Sequence, residues 1–276
     1  MLGRSGCIAL RLDGAERDLT LGFTLPPPEK MRPFAGSAVW AEPMRRKTPG
    51  VLPADKLLAA EIGLAEAVDP ARVIRLLEPL VTDRRKERLL EVIGQRLSGV
   101  SVIFDAPHDP HNGAAVIRSC EAFGVQTLHV VERRERFLAA GSVARGSQKW
   151  IDLQCHATAD GAIQAARAAG LELVGAHPEG TLLPKDLAKI PRVALVLGNE
   201  RDGIAADLAR ACDRHVRVPM RGFIDSLNVS VTAAILLSHA VEGRPGDLDE
   251  ATRQRLYARG LFYSVEAAKD VLALLP

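Results

Sequence analysis

Between Gly99 and Gly243 the chain alternates short apolar runs with longer segments whose apolar residues recur every three or four positions. The runs "VSVIFDAP", "VQTLHVVE", "LELVGAH", "RVALVLG" and "HVRVPM" read as strands. Between them, "NGAAVIRSCEAFG" reads as a helix closed by Gly124, Thr158 to Ala169 as a helix ending at Gly170, and "AADLARACD" as a third. A last helix runs from about Asn228 to Glu242, with Gly243 past its end. Strands in strict alternation with helices can bury both faces only as a parallel sheet covered on each side, so the expected class is α/β.

The flanks follow other rules. Residues 1–54 carry Pro26, Pro27, Pro28, Pro33, Pro43, Pro49 and Pro53, which interrupt any periodic segment, and are expected to be irregular and weakly ordered. Residues 55–98 read as helical: Asp55 heads a segment with Leu57, Leu58, Ile62 and Leu64. Asp69-Pro70 opens a second helix with Val73, Ile74 and Leu77, and Thr82 or Asp83 starts a third with Leu89, Ile93 and Leu97 on one face. The methyl-rich block 99–243 is the main domain, and 244–276 is a helical tail with Leu256, Tyr257, Phe262 and Val271.

Composition excludes several classes. Hydrophobic residues make up 47% of the 276 and aromatics 4%, so the core must be built of Ala, Val, Leu and Ile. A formal net charge of +2 does not by itself point to nucleic acid. Basic residues nonetheless cluster, at Arg84, Arg85, Lys86 and Arg88, at Arg133, Arg134 and Arg136, and at Arg214, Arg217 and Arg221. The first cluster sits in the opening turns of a helix, where cations oppose the helix dipole, so helix stability does not explain it. Cys7, Cys120, Cys155 and Cys212 have no C-x-x-C spacing, which suggests reduced thiols and a cytoplasmic protein. No signal peptide and no membrane-length apolar run is visible.

Ligands of parallel sheets sit at the carboxyl ends of the strands. Three strand-to-helix loops there are chemically loaded: "DAPHDPHNGAAVIR" (105–118), "GNERDG" (198–203) and "PMRGFIDSLN" (219–228). Helix N-termini offer unpaired N–H groups, and glycines let the backbone approach a ligand. The absence of G-x-G-x-x-G and of G-x-x-x-x-G-K-[ST] argues against a dinucleotide fold and a P-loop. His108 and His111 have H-x-x-H spacing in a proline-rich loop without supporting cysteines, so no metal is expected. Arg118, set in an apolar pattern, reads either as half of an ion pair with Glu200 or as a functional cation; Ser226 and Asn228 read as N-caps or as site residues.

Taken together, "DPHNGAAVIRSCEAFG", "VALVLGNERDGI" and "VRVPMRGFIDSLNVSVTAAILL" resemble the three motifs of the SpoU family of RNA ribose 2′-O-methyltransferases, in order and at matching separations. "GSQKW" (146–150) and "RQRLYARGLFY" are similar to the TrmH branch, whose members methylate guanosine 18 in the tRNA D-loop. The resemblance spans roughly residues 82–270. It implies a deep trefoil-knotted SPOUT fold, a homodimer, and S-adenosylmethionine as cofactor, held largely by main chain at Ala176, Gly198, Val218 and Leu227. It implies a catalytic set of Arg118, Asn112, Glu200, Ser226 and Asn228, with Arg118 organising phosphate and ribose hydroxyl. Leu227 and Val229 would turn inward beneath the cofactor. Arg84, Arg85, Lys86 and Arg88, with the Arg133–Arg136 group, would hold tRNA phosphates. Two alternatives share the scaffold: a 23S ribosomal RNA methyltransferase, and a catalytically silent RNA-binding protein.

Overall fold

The computed structural model describes residues 46–47, Leu58, Ile62, 67–133, Phe137 and 146–274. Leu57, Leu64, Arg134 and Arg136 lie outside the described residues, as does the N-terminal segment apart from Arg46–Lys47. In chain order the elements are β1 (Arg46–Lys47), α1 (Pro70–Leu77), α2 (Asp83–Gly94), β2 (Leu97–Asp105), α3 (Pro110–Ala122), β3 (Val125–Val131), β4 (Asp152–His156), α4 (Ala159–Ala168), β5 (Glu172–Ala176), β6 (Val193–Leu197), α5 (Ala206–Ala211), β7 (Arg214–Val216), α6 (Val229–Ala240), α7 (Glu250–Phe262) and α8 (Ala268–Leu274). The strands form one sheet in the order β1-β4-β3-β2-β6-β5-β7, parallel throughout. The expected α/β class with a covered parallel sheet holds.

β2 and β6 run down the centre, and β6 is buried along its whole length, as a strand covered on both faces must be. On one face α3 packs against α6, and Val116, Ile117, Cys120, Ala233, Leu236 and Leu237 close over Val102, Phe104 and Leu195. On the other, α4 and α5 cover Ile103, Leu173 and Val196 through Ala162, Ala166 and Leu208. The order in which strands are added reverses between β2 and β6, and a crevice lies at the carboxyl ends of β5, β6 and β7.

Helix boundaries follow local chemistry. Asp69 caps α1, accepting from the Ala71 N–H at 3.0 Å, with Pro70 next. Asp109 does the same for α3 through the His111 N–H at 2.8 Å. Thr82 precedes α2, and Thr158 caps α4 through Gly161 at 3.3 Å.

Four sequence expectations need correction. Arg46–Lys47, within the stretch expected to be irregular, pair in parallel with Gln154 and Cys155 of β4. β4 itself went unanticipated, because Asp152 and His156 break its apolar pattern; both are satisfied internally. Asp152 receives Arg255 at 2.8 Å and Arg259 at 3.1 Å, and His156 Nε2 lies 3.0 Å from His129 Nδ1. β7 stops at Val216, so Arg217–Met220 of "HVRVPM" is loop. Finally, the helical flanks are not separate appendages. α1 and α2 pack on α7 and share a second core that includes Val73, Leu77, Leu89, Ile93, Leu256 and Leu261. Gly260 is needed there, since a Cβ would meet Leu89 Cδ2 at 2.7 Å.

Candidate active site

The crevice is walled by the ends of β5, β6 and β7 and by the start of α6. Gly198 ends β6, and a Cβ there would lie 2.1 Å from the Gly203 carbonyl carbon, so only glycine lets the two limbs of this loop meet. Between them Asn199 and Gly203 exchange backbone hydrogen bonds at 3.1 and 3.2 Å. Asn199 Oδ1 takes the N–H groups of Arg201 and Asp202, both at 2.8 Å. This rigid turn presents Glu200 toward the first turn of α3.

Three side chains meet there. Asn228 caps α6: its Oδ1 accepts from the Ser230 N–H at 2.8 Å, and its Nδ2 donates to Asn112 Oδ1 at 3.0 Å. Asn112 Nδ2 in turn donates to Glu200 Oε1 at 2.7 Å. A carboxylate oxygen accepts here, so the amide orientation of Asn112 is fixed, and with it a one-way relay Asn228 to Asn112 to Glu200. The relay ties together the loops after β2, β6 and β7, each of which sequence singled out separately. All three residues are solvent-accessible. The His108 N–H also reaches Glu200 Oε2 at 3.5 Å, so that histidine's backbone steadies the same loop.

Beside the relay is a cavity of about 530 Å³. Ala176, Gly198, Val218 and Leu227 all line it, as do Glu200, Ser226 and Asn228. Val229 lines it too and packs on the main core, and Leu236 is buried behind. The sequence reading missed His177, Asn199 and Thr232, which also face the cavity; their signal was adjacency to residues already chosen. Among the described residues, no hydrogen bond involves the backbone of residues 218–227. Of that stretch, Val218, Met220, Asp225, Ser226 and Leu227 line the cavity and leave their main-chain groups unspent there.

The remaining candidates differ in their surroundings. Arg118 is exposed on α3, does not line the cavity, and makes no hydrogen bond or ion pair with any described residue; Glu200 is committed to Asn112 instead. Ser226 lines the cavity but caps no helix. Arg133 is not a free phosphate ligand. It spans Asp105 at 2.6 Å and Asp207 at 2.6 Å, and Asp105 is wholly buried and also accepts from the Ala205 N–H. That clamp fixes the β2 and β6 loops relative to each other, and Arg133 holds the Asp207 carboxyl down at about 2. In the α2 cluster, Lys86 pairs with Asp83 at 2.6 Å and Arg88 with Glu91 at 2.7 Å, Arg85 donates to Ser264 Oγ, and Arg84 is exposed. Buried Cys120 and half-buried Cys212 are pushed up by burial to about 12 and about 11, unlike reactive thiols.

Residues 99–238, half of the chain and all three loops, match the model of the SpoU rRNA Methylase family. The chain belongs to that family of methylases. Among its relatives, the tRNA (guanosine(18)-2′-O)-methyltransferase of Thermus thermophilus is 30% identical over 187 residues, 66% of this chain and 88% of that protein. The enzyme of the same name from Escherichia coli (strain K12) is 28% identical over 186 residues, 64% of this chain and 81% of that one. A 23S rRNA (guanosine-2′-O-)-methyltransferase RlmB of a Burkholderia species is 28% identical over 193 residues, 68% of this chain and 78% of that one. The crystal structure of the A. aeolicus TrmH/SpoU tRNA modifying enzyme superposes with a TM-score of 0.59 at 25% identity, covering 66% of this chain and 98% of the other. The methyl donor of such a methylase is S-adenosylmethionine, and the cavity fits it: apolar side chains at Val218 and Leu227 for a flat purine, and unpaired backbone groups at 218–227 for its polar edge.

Proposed function

We propose that the chain methylates a ribose 2′-hydroxyl of RNA, with guanosine 18 of the tRNA D-loop as its target. The observation that carries this reading is the relay Asn228–Asn112–Glu200 at the mouth of the cavity, which joins three loops distant in sequence. Identity to guanosine-18 enzymes over about two thirds of the chain favours tRNA.

When bound, S-adenosylmethionine would supply a methyl group on a sulfonium centre; the chain has to hold and align a ribose oxygen while its proton passes to an acceptor, the RNA phosphate beside Arg118. Ala176, Gly198, Val218 and Leu227 hold the donor through main chain, and Ser226 adds a hydroxyl at the rim. Asn112, pinned at both ends, keeps Glu200 and the α6 N-terminus in one geometry. Arg118 acts by steering a phosphate and stabilising developing alkoxide charge. Because it stands outside the cavity of its own chain, it serves RNA from the exposed face of α3, and a homodimer is the working form. Exposed Phe223, Ile224 and Val231 beside the site support an apolar contact with a second copy. The helical cluster, with Arg84, Arg85, Lys86 and Arg88 on α2, forms the RNA-holding extension.

A second reading, a ribosomal RNA target, is favoured by the similarity to the 23S enzyme. Incubation of the protein with total RNA and labelled cofactor, followed by mapping of the methylated nucleotide, separates the two. The expected product is 2′-O-methylguanosine at position 18 of tRNA. Label confined to ribosomal RNA would select the second reading, and cofactor binding without any label in RNA would refute both.

A further inference from the structure

A second cavity lies away from the methylase crevice, where α2 and α7 meet the edge of the sheet. Its volume is about 220 Å³, below the range of pockets for drug-sized molecules and suited to a small ligand. Four arginines line it, Arg85, Arg88, Arg96 and Arg259, against one carboxylate, Glu121. The ring of Trp150 forms part of the wall, with the Arg85 guanidinium 5.9 Å from its centroid.

The two deep arginines are not loose surface charges. Arg96 and Arg259 are each 3% exposed. Arg259 is anchored to Asp152 and to the Trp150 carbonyl at 3.0 Å, and Arg96 to Gln126 and to the Val125 carbonyl at 3.1 Å. Those bonds use Nε and Nη2 of Arg96, and its Nη1 bonds no described residue. Burial and then the neighbouring Arg259 cation lower Arg96 to about 10, while Glu121 and Asp152 oppose the shift. Two buried guanidinium groups thus line one cavity, Arg259 paired with Asp152 and Arg96 bonded, among the described residues, to neutral groups. Fixed, desolvated, multiply donating cations are what a phosphate oxygen requires, and an anion would relieve their repulsion.

We infer that this cavity is a phosphate pocket, in which Arg85, Arg88, Arg96 and Arg259 grip a backbone phosphate of the RNA substrate. The inference rests on the chain acting on RNA, and it assigns a defined anion site where the sequence reading had only a basic stretch. Arg84 and Lys86, although in that stretch, do not line the cavity and contribute no grip there.

The probe is inorganic phosphate, followed by tRNA. Phosphate should raise the melting temperature of the wild-type protein above that in chloride at equal ionic strength, and the double variant R85Q/R88Q should lose that rise. Arg85 and Arg88 sit at the accessible rim, so this variant is expected to fold; a matching melting temperature in chloride verifies it. Phosphate should compete with tRNA, and R88Q should flatten the dependence of log affinity on log salt by about 0.7–0.9. Lack of any phosphate-specific stabilisation overturns the pocket, even if methylation of RNA stands. Phosphate binding without competition against tRNA means a free anion as occupant and overturns the RNA assignment. Phosphate binding in a protein that neither binds nor methylates RNA overturns the functional reading beneath it while leaving an anion site.

Discussion

Two polar networks in this molecule each centre on one carboxylate and are placed in opposite surroundings. At the carboxyl ends of the strands, Asn228, Asn112 and Glu200 form a relay open to solvent. At the other flank, Asp152 of β4 takes Arg255 and Arg259 where each of those arginines is at most 4% exposed, sealing the helical cluster to the sheet. The open network can be broken at little cost to folding, because water replaces each lost partner. The sealed one cannot, since a removed carboxylate leaves two cations in the dry. Burial, together with the charge of the arginines, makes the second network structural and leaves the first free for the proposed chemistry.

The largest effect should therefore come from Asp152→Ala. Chemical denaturation is expected to show a loss of about 3–5 kcal/mol, with S-adenosylmethionine affinity per folded molecule unchanged. A loss below about 1 kcal/mol would put this pair among ordinary surface bridges and erase the contrast. Next, Arg118→Ala should reduce methyl transfer by about a hundredfold or more while cofactor affinity and melting temperature hold. Turnover near that of the wild type would remove Arg118 from the site.

The buried histidine pair extends the comparison to pH. Burial, and then the nearby His156, push His129 down to about 3, and burial lowers His156 as well. Both rings are held neutral, so the unfolded state binds more protons: the stabilisation is full above about pH 6.5 and is lost as pH falls below it. Between about pH 6.5 and 5, stability should fall by up to about 1.4 kcal/mol per pH unit through His129, with His156 acting in the same direction. Urea midpoints across that range check this, and His129→Gln should flatten the profile; a flat wild-type profile would contradict it. The smallest effect belongs to the exposed α2 face. Replacing Arg84, Arg85 and Arg88 with Ala should leave folding within about 0.5 kcal/mol and reduce the salt slope of tRNA binding by about 2; an unchanged slope would free that face of any RNA role.

Sequence was legible where period and capping agree. The central strands, the Asp69-Pro70 helix start and the three site loops could all be read because each rests on local chemistry, whereas the Asp109-Pro110 start of α3 was read two residues late, at Asn112. Ala176, Gly198, Val218 and Leu227 came only through resemblance, and they do line one cavity. What could not be read depends on partners distant in sequence. β4 looks too polar until Arg255 and His129 are seen beside it. Arg133 looks like a phosphate ligand until Asp105 and Asp207 claim it. The union of α1, α2 and α7 into one core was invisible because their apolar faces complete each other across the whole length of the domain between them.

The central claim is that the open relay organises methyl transfer. Its most direct test is Asn112→Ala, measured three ways on one preparation: denaturation free energy, S-adenosylmethionine affinity, and single-turnover methylation of tRNA. Stability within about 0.5 kcal/mol of the wild type, retained cofactor binding and a methylation rate lower by about a hundredfold are expected. A variant that methylates at the wild-type rate, or one that simply unfolds, would contradict the account.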